Sequence, residues 1–292
     1  MRRSIPKKLF DLFNHLFLGG IALICVLLFM HIIAISLSNN TAIVANEVKL
    51  FPVGFNLKAY ELLLKESRFW NAFFISIKRV VLGVAINMSM VILIAYPLSK
   101  YKKEFRLRNF YMWFFFITGL FSGGIIPMFV LLNSLHLLNT IWALVLPTAV
   151  PVFNVILMLN FFRQIPKELL EAAEMDGCGE FQKLFKIVLP LSTPVIATVL
   201  LFTIVGHWNS WFDGLLFSTT LDAYPLQSYL QTVVIKMDFS SVGITDPEVI
   251  TLLSNKSMKT AQIIIGMIPV LIIYPFIQRY FITGIVLGSV KE

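Results

Sequence analysis

The 292-residue sequence predicts an all-α, polytopic membrane protein with six transmembrane helices, and three observations carry that expectation. Of the residues, 58% are hydrophobic and only 14% charged, with a mean hydropathy of +0.82, which is more apolar surface than a water-soluble chain can hide. Several stretches run for about twenty residues without a formal charge, the length an α-helix needs to cross a ~30 Å hydrocarbon core. The basic residues stand at the ends of these stretches and not along one amphipathic face. The net charge of +8 therefore marks topology and contact with membrane lipid, and gives no nucleic-acid surface.

The first expected span is Leu16–Leu37, after a basic start holding Arg2, Arg3, Lys7 and Lys8. Its apolar core is longer than the ~7–15 residues of a secretory signal and lacks a small-residue cleavage site, so it reads as a retained helix. Further spans are expected at Val80–Leu98, Phe110–Leu132, Thr140–Phe162, Leu191–Trp211 and Thr260–Ile282. Pro127, Pro147, Pro151, Pro194, Pro269 and Pro275 fall inside them, which bundled membrane helices tolerate.

Six spans place both termini on one side. Fifteen Lys and Arg fall in segments 1–8, 100–108, 163–186 and the tail, and seven in the two long opposite loops, which puts both termini on the cytoplasmic side of the membrane. The long outer loops 39–68 and 212–259, punctuated by Pro52, Gly54, Pro225, Gly243 and Pro247, suit a receptor-facing cap. Residues 1–292 read as a single transmembrane domain.

The inner loop 163–190 is the most informative segment. Pro166 suits the start of a helix, Lys167–Asp176 continues it, and Gly177 supplies a left-handed stop. Ile165, Leu169, Ala172 and Ala173 recur at helical spacing. After Gly177, Phe181, Leu184, Phe185 and Val188 are expected to share one face of a second helix before Pro190. A helix, a bend and a helix at the membrane surface follow. Lying on lipid headgroups and docking on a protein are both open to such an element.

These residues resemble a known motif. Glu171-Ala172-Ala173, three residues, Gly177, nine residues and Ile187-Val188-Leu189-Pro190 match the EAA loop of binding-protein-dependent ABC importer permeases. The flanking Ile165-Pro166-Lys167-Glu168-Leu169-Leu170 and Leu191-Ser192-Thr193-Pro194, the Trp208-Asn209 pair, and Gln278-Arg279-Tyr280-Phe281 with Gly284, Gly288 and Val290 resemble its carbohydrate-uptake branch, which includes the maltose permeases, and within it the polyuronide and complex-oligosaccharide subgroup. The resemblance implies a type I ABC importer fold in which loop 163–190 is the coupling helix. Glu171, Ala172, Ala173, Asp176, Gly177, Ile187, Leu189 and Pro190 are then the ATPase-coupling residues. It also implies a bacterial inner membrane as the location, a cytoplasmic ATPase dimer, a second homologous permease and an extracytoplasmic solute-binding protein as partners, and transport of oligosaccharides. Small alanines permit close approach, Glu171 offers a charge-assisted hydrogen bond, and Gly177 sets the bend.

The sequence has no G-x-x-x-x-G-K-[ST] phosphate loop, so no cofactor is expected on this chain, and ATP and Mg would sit on the ATPase subunits. The chain is expected to be a transporter subunit and not an enzyme. An ion-coupled transporter has no evident use for loop 163–190, and a membrane enzyme needs a reactive constellation that the spans lack. His15, His31, His136 and His207 have no metal-ligand spacing. Cys25 and Cys178 suggest no disulfide framework. Gly123-Gly124 is expected to allow close helix packing.

The expected pathway residues are Arg79, Trp208, Asn209, Trp211 and Asp213. The last four, with His207, combine aromatic faces and polar groups suited to sugar rings, although an interfacial aromatic belt has the same composition. Lys78 and Arg79 either snorkel at the start of the second span or, if that helix begins near Phe69, lie inside the protein and need a cavity or partner. In that second case Arg79 is the better candidate for a uronate carboxylate, because its fork is bidentate.

Overall fold

The computed structural model describes residues 5–235 and 256–289, and every regular element among them is helical. Arg2, Arg3, Lys236, Gly243, Pro247, Val290 and Lys291, used above to read topology and loops, lie outside the described residues. The helices include α1 (Ile5–Ser36), α2 (Ser67–Ser99), α3 (Arg108–Leu120), α4 (Ile125–Ser134), α5 (Ile141–Val145), α6 (Val152–Phe162), α7 (Lys167–Met175), α8 (Glu180–Lys183), α9 (Thr193–Asn209), α10 (Phe212–Phe217) and α11 (Lys256–Ser289). Three segments, Phe10–Ser36, Ser67–Ser99 and Lys256–Phe276, are each long and apolar enough to cross a membrane as one helix. Three more candidates are bent pairs, which brings the total among the described residues to as many as six.

Each bend has a cause in the sequence. The expected span Phe110–Leu132 is two helices, α3 and α4, turned by 108°. Gly124, at φ 89° and ψ 178°, occupies a backbone region closed to side chains and precedes α4. A Cβ at Gly124 would meet nothing within 4 Å, so the glycine pair makes a break and not the close packing expected of it. In Thr140–Phe162, α5 passes into a 3-10 turn at Leu146–Thr148, and the chain turns 47° before α6. Pro147 and Pro151 lack the N–H that a continuous helix would use there. The third bend, 83°, separates Glu180–Leu191 from α9, where Pro194 stands in the first turn. By contrast Pro97 stays inside α2, and Pro269 and Pro275 inside α11.

The second span begins earlier than Val80. Helix α2 starts at Ser67 and carries Lys78 and Arg79 within it, so Arg79 is not an interfacial anchor. It is 1% exposed.

The chain divides into two compact units. One comprises residues up to Trp70 with the segment Leu230–Met267, and the other runs from Asn71 to Tyr229 with the segment from Ile268 onward. In the first, Ala34, Ile35, Ala42, Ile43 and Val48 form a small core. Segment 39–68 doubles back onto the end of α1, where Asn39 N donates to Val53 O and Asn56 N to Leu37 O, both at 3.0 Å. In the second, one core joins Val91, Ala95, Tyr96 and Leu98 of α2 to Val155, Met158, Leu159 and Phe162 of α6, and to Ile165, Leu184, Val188, Val195 and Val199. This cluster seats the helix–bend–helix.

Candidate functional sites

Helix α7 starts after Pro166 and ends at Met175, and Gly177 follows at φ 78°. The expected start, helix and left-handed stop are all present. The apolar stripe sits one position round from the expectation. Ile165 and Ala173 are buried and Leu170 packs on the core, whereas Leu169 is 46% exposed. Successive helical positions point about 100° apart, so burying Ala173 turns Ala172 outward, and only Ala172 of the pair is on the surface. Glu171 and Asp176 are exposed beside it.

Beyond the bend, the expected four-residue face splits. Leu184 and Val188 are buried in the core, while Phe181 and Phe185 are 72% and 59% exposed. The backbone at Leu184–Val188 is a π-helix, whose wider turn changes the register between the two pairs. Where the alternative is water, burying Leu184 or Val188 stabilises by about 1.5–3 kcal/mol each. Ile187 and Leu189 are half-buried and Pro190 is exposed. The element thus has an anchored side and a free side, and Ala172, Met175, Phe181 and Phe185 are on the free side.

A set of charges ties this element to the end of α2. Glu180 pairs with Lys100, accepts a hydrogen bond from Tyr96 Oη at 2.8 Å and lies 3.3 Å from Lys183. Lys183 also bridges Glu174 at 2.9 Å, closing the bend from the α7 side. Burial alone would raise the Glu180 carboxyl, but the bonds from Lys100 and Tyr96 and the positive charge nearby outweigh it and hold it at about 2. The Lys183 ammonium is raised chiefly by its hydrogen bond to Glu174. Sequence reasoning missed this network. Glu180 and Lys183 stand three apart, a readable pair, but nothing local connects them to Tyr96 and Lys100.

The second candidate site lies among α2, α9 and α10. Arg79 Nη2 pairs with Asp213 Oδ2, and Nη1 donates to Asp213 Oδ1 and to Ser210 O, each at 3.2 Å. Ser210 Oγ and Gly214 N also donate to Asp213 Oδ1, at 2.8 and 2.9 Å. The carboxylate thus answers the buried guanidinium from across 134 residues of sequence. Helix α9 crosses α2 closely here: a Cβ on Gly83 would lie 2.4 Å from His207 Nε2. Trp208 is buried edge-on to Phe73, with ring centroids 5.8 Å apart. Asn209 is exposed and Trp211 is 38% exposed. The structure brings Arg79 and Asp213 together and leaves Asn209 and Trp211 as accessible polar and aromatic surfaces. Among the described residues no group of three or more His, Cys, Asp or Glu is placed to hold a metal ion.

Residues 69–286, which hold both sites, match the family of binding-protein-dependent transport system inner membrane components. The chain belongs to this family. The permease is 40% identical to the polygalacturonan/rhamnogalacturonan transport system permease protein YtcP of Bacillus subtilis strain 168, over 98% of this chain and all of that one. It is 28% identical to the arabinooligosaccharides transport system permease protein AraQ of Halalkalibacterium halodurans, over 93% of each. A crystal structure of a bacterial ABC transporter involved in the import of the acidic polysaccharide alginate matches with a TM-score of 0.87 and 30% identity, covering 96% of this permease and 99% of that chain. Both relatives are permease proteins, and the all-α membrane architecture is that of a type I ABC importer permease. In the permease, the helix–bend–helix 163–190 is built with one side in the core and one side free.

Proposed function

We propose that the permease forms half of the translocation pathway of an ATP-driven oligosaccharide importer, with acidic oligosaccharides as its substrate class. One observation carries the mechanism: the free side of helix–bend–helix 163–190 is continuous, through Leu184, Val188 and Ile165, with a core that grips α2 and α6. A push on Glu171, Ala172, Asp176 or Phe181 moves a rigid, close-packed base, and interiors of this density transmit displacement. Glu171, Ala172, Asp176 and Gly177, with Ile187 and Pro190 beyond the bend, meet a cytoplasmic ATPase dimer, which supplies ATP and Mg, while Ala173 and Leu189 hold the loop in place. A second homologous permease completes the pathway, and a solute-binding protein delivers substrate to the outer loops. Residues 1–292 act as one transmembrane domain, with both termini and loop 163–190 cytoplasmic.

The substrate class is supported by the pectic polymers named for the Bacillus relative and by the alginate named for the solved transporter. Asn209 and Trp211 offer a hydrogen-bonding amide and an aromatic face for a sugar ring. Arg79 is committed to Asp213 and shapes this region from behind, reaching a uronate only if Asp213 releases it.

The test is reconstitution of the permease with its partner permease, ATPase and binding protein in liposomes. Oligogalacturonates should stimulate ATP hydrolysis and accumulate inside, and neutral arabino-oligosaccharides should do so less. Stimulation by neutral sugars alone would overturn the acidic assignment, and ATP hydrolysis without accumulation of any sugar would overturn the importer reading.

A further inference from the structure

A cavity of about 740 Å³ opens beside the base of loop 163–190, lined from loop 100–108, the end of α6 and α7. Its volume is in the range of small-molecule sites. Seven of its lining side chains are cationic and three acidic: Glu174 is paired with Lys183, Glu104 lies 4.0 Å from Lys100, and Glu171 is exposed. Lys100 is paired with Glu180, Lys183 with Glu174 and Glu180, and Lys167 lies over the Tyr101 ring at 4.1 Å. Arg108 and Arg163 have no carboxylate within 4.0 Å among the described residues, and neither do Lys102 and Lys103. The two guanidiniums instead share two neutral acceptors: the Leu98 carbonyl at the end of α2, 3.1 Å from Arg108 Nε and 3.4 Å from Arg163 Nη2, and Met112 Sδ, 3.9 Å from Arg108 Nη2 and 3.4 Å from Arg163 Nη2. Arg163 is lowered first by burial and then by the positive charge of Arg108, as expected of two cations brought together without a counter-ion.

Two forked donors side by side, each with N–H groups left over after the Leu98 and Met112 contacts, match the oxygens of a phosphate better than a single carboxylate. We propose that this cavity binds a phosphate-bearing anion, held by Arg108 and Arg163 with Lys102 and Lys103 beside them. On the topology proposed above the cavity is at the cytoplasmic face, where an anionic phospholipid headgroup and a soluble phosphate share this chemistry. Occupancy would brace loop 100–108 against the base of loop 163–190, because both line the same cavity.

The experiment uses the complete transporter in nanodiscs of phosphatidylcholine with or without phosphatidylglycerol, with native mass spectrometry to count retained lipid. Inorganic phosphate is titrated separately into the phosphatidylcholine discs. Two lost cations should weaken binding about thirtyfold in Arg108→Gln/Arg163→Gln. Lys58→Gln/Lys65→Gln, remote in sequence on loop 39–68, should bind as the parent does. Loss of retained phosphatidylglycerol in the arginine variant alone identifies a lipid headgroup, and loss of phosphate binding there alone identifies a soluble anion. Equal binding by parent and both variants, or no binding of either probe, overturns the proposal. If the arginine variant fails to insert, Lys102→Gln/Lys103→Gln, on an exposed loop, takes its place, and unchanged binding by it overturns the proposal equally.

Discussion

Two charged clusters in the permease use the same chemistry in opposite surroundings. Arg79–Asp213 joins α2 to the start of α10 with the guanidinium 1% exposed, whereas Glu180 joins the end of α2 to loop 163–190 with its carboxylate side chain 53% exposed. A buried pair is expensive to break, because the partner left behind is an unsatisfied charge, while a half-exposed pair exchanges protein for water at little net cost. The first cluster should therefore set whether the bundle holds together, and the second should set only how firmly the loop is tied down.

The largest effect is expected at Asp213. Asp213→Ala should lower stability by about 3–5 kcal/mol, read as a fall in the thermal unfolding midpoint in detergent. The double variant Arg79→Leu/Asp213→Leu should lose less than Asp213→Ala alone, since replacing the whole pair leaves no stranded charge. Additive losses would mean that the two side chains do not act as a pair. A smaller loss, about 1–3 kcal/mol, is expected for Gly83→Ala, whose Cβ would meet the His207 ring at 2.4 Å. Shortening His207 to Ala in the same chain should recover much of it, and no recovery would move the cause away from this helix crossing.

At the loop, Glu180→Gln should cost at most about 1 kcal/mol. Its pH dependence has a defined sign. With the carboxyl held at about 2 against about 4.3 for an unperturbed glutamate, its contribution is complete above the higher value and disappears as pH falls toward the lower one. The raised Lys183 ammonium contributes below its ordinary range and is lost only as pH rises through the raised value. Stability differences between parent and Glu180→Gln should thus be flat from pH 6 to 8, measured by the same melts, and a slope in that window would contradict the assigned network. Phe181→Ser should leave the stability from the same melts within about 0.5 kcal/mol of the parent, as for an exposed position away from the core.

How much of this was legible in the sequence follows the range of the interactions. The start, stop and bend of α7 were readable from Pro166 and Gly177, because caps and left-handed turns are local. Six apolar segments were readable, but the 108° break at Gly124 was not, since a glycine pair suits packing and breaking equally until its φ is known. Arg79 and Asp213 were both recognised as candidates, yet not as each other's partner, because 134 residues separate them. The split of Phe181 and Phe185 from Leu184 and Val188 was hidden by the π-helical turn, which a strict 3.6-residue period does not anticipate. Glu180 escaped for the same reason as the Arg79 pairing: its partner Lys100 is 80 residues away.

The proposed coupling places the ATPase on the free side of loop 163–190 and carries its motion into the bundle through the anchored side. Ala172→Arg tests it most directly, because Ala172 is exposed and its neighbour Ala173 is buried, so the substitution obstructs the surface without filling the core. Co-purification of the ATPase and sugar uptake should be measured on the same membranes. The account predicts normal insertion and melting, loss of the ATPase from the purified complex, and uptake reduced more than about tenfold, the equivalent of about 1.4 kcal/mol of lost coupling. Parent-like uptake with the ATPase still bound would contradict it.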